Sequence, residues 1–218
     1  MTAYARPAVV INQYTDATGN VIDYGRRYWT VDLDPPEAMY GHCAHPERFA
    51  PVEVVAHALI DYLASAYEVD ATEAVVDGHT IVTLTPAAGA TMTFALPLAG
   101  VPGVKVSAGW RFTEMWPTCG CDACDDSVPE LLDLLEATVL TIVEGGLSEW
   151  RSGPGNAMPM MTDDAGNPVG TAVVPWQVHT RLDGRIESEG GGWSSDEPEP
   201  VELPEVPYRW ERWPLKLA

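Results

Sequence analysis

The sequence predicts an α+β fold, an antiparallel meander sheet with two main helices packed on one face and a loop-rich C-terminal extension. Three observations predict it. Two segments carry apolar residues at spacings of three and four, short β-branched and aromatic runs lie between them, and turn residues separate those runs. With 46% hydrophobic and 20% charged residues the 218-residue chain is of globular composition and long enough for one substantial core.

At the start, residues 9–14 and 21–24 flank Asp16-Ala-Thr-Gly-Asn20, turn chemistry that predicts an N-terminal hairpin, with residues 26–31 as a further extended segment. Asp34-Pro-Pro-Glu37 is a break, and residues 40–46 form a loop holding His42, Cys43 and His45. The first helix starts near Pro51, which suits a first turn. Val52, Val55, Ala56, Leu59, Leu63 and Ala66 make its buried stripe. Asp77-Gly78 between β-branched runs predicts a tight hairpin, and residues 91–96, 104–108 and 110–115 continue the meander. A second helix opens at Ser127-Val-Pro-Glu130, the pattern of a capping box. It buries Leu131, Leu132, Leu135, Val139, Ile142 and Val143 and stops at Gly145-Gly146.

After Gly153 the texture loosens. Residues 158–161 and 169–174 flank a second Asp…Gly-Asn turn, a strand is expected over 177–180, and residues 187–207 are an arm rich in Gly, Ser, Pro and Glu. The aromatics of Tyr208-Arg-Trp-Glu-Arg-Trp213 are expected to dock this end on the body. The organisation expected is a core over 1–150 with an extension over 151–218, one domain overall.

The net charge of −20, from 32 acidic and 12 basic residues, opposes nucleic-acid backbones and anionic membrane surfaces as partners. An acidic mimic of nucleic acid is a further option, but it calls for carboxylate stripes on long helices, and here the acids are scattered. No uninterrupted apolar run approaches the ~20 residues of a bilayer span, and residues 1–7 lack signal-peptide organisation. These features lead us to expect a cytoplasmic protein with reduced thiols. Its partner is expected to be a protein or a small molecule, with the oligomeric state left open. Neither a nucleophile elbow, a dinucleotide fingerprint nor an H-E-x-x-H zinc motif is present.

The chemistry-bearing stretch is Cys119-Gly-Cys-Asp-Ala-Cys124, which holds three of the four cysteines. Zinc takes four tetrahedral ligands, and a C-x2-C knuckle with a third nearby thiolate supplies three. Cys43 is the closest chemical match for a fourth, with His42 and His45 as alternatives. Two other readings compete: small thiols filling a tight turn, and a redox or catalytic thiol. Asp122, Asp125 and Asp126 crowd the motif, and negative charge opposes a free thiolate while tolerating a bound cation. The leading expectation is a non-enzymatic interaction or ligand-binding protein whose structural cysteine-rich loop is stiffened by zinc or by tight packing. The alternative is a metal- or thiol-dependent enzyme using the same loop.

Three stretches, Pro35-Pro-Glu-Ala-Met-Tyr40, His45-Pro-Glu-Arg-Phe-Ala-Pro51 and Trp116-Pro-Thr-Cys-Gly-Cys-Asp-Ala-Cys-Asp125, together resemble a family of uncharacterised actinobacterial proteins, a domain of unknown function. The resemblance covers roughly residues 35–150 and implies no activity or cofactor. The family pattern carries a small polar residue where this chain has Cys43, so the resemblance does not support Cys43 as a required ligand.

Overall fold

The computed structural model describes residues 3–28, 34–152, 158–159, 171–172, 177–183 and 203–216. Helix α1 spans Ala50–Ala66 and follows a 3-10 turn at Pro46–Phe49. Pro51 sits in its first turn, where a missing N–H costs nothing. The predicted stripe, joined by Ile60, is buried. Pro46–Ala66 is long and apolar enough by length and composition to cross a membrane, with mean hydropathy 1.3. Here its apolar face instead lies in the core.

Five strands form the expected antiparallel meander: β1 Val69–Val76, β2 His79–Pro86, β3 Met92–Pro97, β4 Val104–Ala108 and β5 Phe112–Trp116, paired in chain order. Asp77 and Gly78 turn β1 into β2 with φ of 47° and 75°. Two left-handed residues are what a two-residue hairpin loop demands, and Asp-Gly meets that demand. Alternation sends Met92, Phe94 and Leu96 of β3, Val104, Val106 and Ala108 of β4, and Phe112 and Trp116 of β5 inward. Each large apolar side chain so buried contributes roughly 1.5–3 kcal/mol. Helix α2, Val128–Val143, closes the same core against α1 and the sheet.

The start of α2 differs from expectation. Ser127 is the N-cap residue, yet its hydroxyl makes no capping hydrogen bond, so the capping box does not form. Its side chain is instead pressed against Gly25, where a Cβ would come within 2.6 Å of Ser127 Cβ. The helix stops as predicted, with Gly145 at φ 79° and its N–H donating to the Ile142 carbonyl.

The N-terminal hairpin reduces to its turn. Asp16 Oδ1 accepts from Thr18 and Asn20, and one bridge joins Thr15 to Val21, but residues 9–14 form no strand. Among the described residues no further strand extends this pair, and a two-stranded hairpin alone is marginal in water. Residues 24–28 are a turn rather than an extended segment, and residues 29–31 lie outside the described residues.

A second sheet, unforeseen in its extent, joins β6 (Leu147–Ser152), β9 (Gln177–Leu182) and β10 (Tyr208–Arg209) in the order β10-β6-β9, and the short β7 (Met158–Pro159) pairs with β8 (Thr171–Ala172). The turn at 163–167 and most of the 187–207 arm lie outside the described residues. The aromatic end docks on the body, as expected. Trp213 is 1% exposed in the main core, and its indole N–H donates to the Ala90 carbonyl at 2.9 Å.

Candidate metal centre

The cysteine loop leaves β5 through a cis Trp116–Pro117 bond and reverses at Gly120, whose φ is +73°. A Cβ at Gly120 would meet Pro117 Cγ at 3.2 Å and Val101 Cγ1 at 3.3 Å, so glycine suits both the angle and the space. The loop is tied to the chain before α1. The Asp122 N–H donates to the His42 carbonyl at 2.7 Å and the Ala123 N–H to that of Met39 at 3.2 Å.

These constraints bring the three predicted sulfurs together. Sγ of Cys119 lies 3.1 Å from that of Cys121 and 2.9 Å from that of Cys124, and the Cys121–Cys124 separation is 3.4 Å. All three are free thiols, with Cys121 buried and the other two exposed. Such separations exceed the ~2.05 Å of a disulfide and suit donors converging on one ion. The sulfurs also polarise one another. Hydrogen bonding with Cys119 holds the Cys121 thiol down at about 6, whereas contact with Cys119, then burial, pushes Cys124 up to about 12. One sulfur of the group takes a charge readily and another resists it. A divalent cation removes that resistance by binding all three as thiolates, with release of protons.

The aspartates do not surround the thiols with free charge, as their spacing suggested. Asp122 is 2% exposed and turned inward. Its Oδ2 receives the Ala44 N–H at 2.9 Å and sits 2.8 Å from His42 Nδ1, while Oδ1 accepts from Arg48 Nη1 at 3.3 Å. Burial alone would raise this carboxyl, but His42, the Ala44 amide and Arg48 together hold it below its ordinary value. Asp125 is likewise buried and paired. Its Oδ2 accepts the Arg27 backbone N–H at 2.7 Å, its Oδ1 pairs with Arg27 Nε, and Arg27 Nη2 reaches the Asp122 carbonyl at 2.6 Å. Only Asp126 is raised, by burial first and then by its neighbour Asp125. Two guanidinium groups therefore offset the local carboxylates and fix the loop's backbone. Sequence reasoning missed both. The one signal for Arg48 was an arginine directly before a core phenylalanine, in His45-Pro-Glu-Arg-Phe49.

Among the described residues the sulfur group contains Cys119, Cys121 and Cys124 and no further donor. Cys43 is half-buried and packs against the main core, and desolvation raises its thiol. His42 holds Asp122 with its ring 63% exposed. His45 stacks on Tyr14 at 4.5 Å between ring centroids and lies 3.3 Å from Glu47. None of the three candidates for a fourth ligand joins the sulfur group. On its other side Cys119 borders a groove of about 420 Å³ on the outward face of the sheet, lined by Val76, Ile81, Val101, Lys105 and Met115 among others.

The chain matches a family of unknown function, DUF6226, over residues 10–217, and belongs to that family. The match extends well beyond the stretches that carried the resemblance and takes in the second sheet and the Trp-rich end. No curated protein matches the chain. No solved structure matches it either.

Proposed function

We propose that this family member is a cytoplasmic, non-enzymatic metal-binding protein in which Cys119, Cys121 and Cys124 hold one zinc ion that stiffens the connection from β5 to α2. The observation that carries this reading is the convergence of three sulfurs within 3.4 Å of one another on a loop independently fixed by Arg27 and Arg48. Tetrahedral zinc–thiolate bonds of about 2.3 Å require sulfur separations of about 3.8 Å. The triangle meets that by opening less than an ångström, within the range of side-chain rotation. A tightly held donor from a protein or small-molecule partner closes the fourth position.

The test is elemental analysis of protein purified without a metal-affinity step, beside a Cys121→Ser variant. About one zinc per chain is expected, lost in the variant together with several degrees of thermal stability. Metal-free protein whose melting temperature is unchanged by the substitution would overturn the proposal.

The exposure of Cys119 at the rim of the 420 Å³ groove favours a second reading, a three-ligand site with an open position used in catalysis. Cobalt substitution separates the two. A d–d spectrum unaffected by added small ligands such as azide or thiols supports the closed structural site, and a spectrum that they shift supports the open one.

A further inference from the structure

We infer that the chain has a second site, separate from the three sulfurs though it shares Arg48 with the loop that carries them, which binds a small molecule bearing a carboxylate beside Arg48. A cavity of about 300 Å³ lies between the N-terminal segment and the start of α2, lined by Ile11, Tyr14, Val21, Tyr24, Arg48 and Val128 among others. Arg48 and Tyr14 also border an adjoining cavity of about 230 Å³.

Arg48 carries the inference. Its side chain is 2% exposed, and its guanidinium lies on the Tyr24 ring at 3.8 Å and near Phe49 at 4.3 Å. Nη1 faces Asp122, but Nε and Nη2 have no hydrogen-bond partner among the described residues. Those two nitrogens form the side-on edge of the guanidinium, the fork that fits a carboxylate with two parallel hydrogen bonds. A buried donor left unmade costs roughly 1–3 kcal/mol, more when charged, so an open edge here calls for an acceptor.

The surroundings point the same way. The hydroxyls of Tyr14 and Tyr24, each able to donate or accept, are also buried and unpartnered, as is one carboxylate oxygen, Asp126 Oδ2. The first turn of α2 enters the same cavity through Ser127, Val128 and Pro129, and the Ser127 hydroxyl makes no capping bond. That end of a helix favours an anion. The charge present selects which anion. Asp23 and Arg26 both line the cavity, and Asp126 lies near Arg48, so a monoanion is favoured over a phosphate dianion. Ile11, Val21, Ile22 and Val128 offer an apolar wall for a short aliphatic or aromatic body. The buried donors touch no solvent, so a ligand reaches them by displacing residues 11–14, which lie between the Tyr4 and Arg6 contacts with Glu136 and the Asp16 turn.

The experiment is calorimetric titration of the intact chain with acetate, hexanoate, benzoate and inorganic phosphate, repeated on Tyr14→Phe and Arg48→Met. Hexanoate or benzoate is expected to bind the parent protein. Tyr14→Phe, which removes one hydroxyl and leaves the ring, should weaken that binding about tenfold with an unchanged melting temperature. Arg48→Met should abolish it if the variant folds, and Tyr14→Phe decides the matter if it does not. Three results would overturn the inference: no binding by any carboxylate at millimolar concentration (a hydrated cavity only), equal affinity in Tyr14→Phe, or a preference for phosphate. None of these outcomes depends on metal at the cysteines.

Discussion

At the scale of single residues, the molecule repeatedly uses one buried carboxylate to organise a loop. Asp122 gathers His42, the Ala44 amide and Arg48, and Glu149, fully buried, accepts the backbone N–H groups of Trp110, Arg111 and Phe112 at 2.7–2.9 Å and the Trp210 indole N–H at 2.8 Å. The Asp122 partners differ in burial, and that difference is measurable. Asp122→Ala strands a buried guanidinium and should cost about 3–5 kcal/mol in denaturant unfolding. His42→Ala, at an exposed partner, should cost under about 1 kcal/mol. Equal losses would show that the Asp122–Arg48 contact is not what holds the loop. These pairings were not legible in the sequence. Arg48 and Asp122 stand 74 residues apart, and a charged residue carries no mark of the partner that lets it be buried.

At the scale of elements, the period of the apolar pattern made most of the fold readable. The stripes of α1 and α2 and the Asp-Gly hairpin are local signals, and local signals survive folding when the tertiary structure agrees with them. Strand β6 had no such signal. Its sequence, Leu-Ser-Glu-Trp-Arg-Ser, lacks β-branched residues, and Glu149 owes its buried place to amides some 37 residues earlier and to the Trp210 indole 61 residues later. The N-terminus of α2 shows the reverse, a correct local pattern overruled by packing against Gly25. Ser127→Ala should therefore change stability by less than about 0.5 kcal/mol, where a working N-cap would lose roughly 0.5–2 kcal/mol. A loss in the upper range would mean that the hydroxyl caps the helix in solution. The site divides in the same way: the three sulfurs were readable from spacing, and the arginines that position them were not.

At the scale of the whole molecule, the two sheets share one core. Leu147, Leu182 and Trp213 belong to the same buried cluster as α1, α2 and the meander. Trp213→Ala should cost about 3–5 kcal/mol, from the cavity left and from the Ala90 carbonyl that loses its donor. Its melting temperature should fall well below that of Tyr208→Ala, since Tyr208 is 42% exposed. If the two variants melt alike, the docked tail contributes little to the body.

The docked tail also bears on how the chain matures as it is made. Trp213 covers Ala90, the Pro214 carbonyl accepts the Glu68 N–H, and the Lys216 N–H reaches the Ala66 carbonyl. Ala90, Glu68 and Ala66 each precede their partner in this segment by more than a hundred residues. A ribosome-bound chain that has already produced α1, the meander and α2 therefore holds an open apolar seam at the end of α1 until residues 208–216 emerge. Over that interval the seam lacks the cover that Trp213 provides, and a chain stopped before residue 208 should leave it exposed.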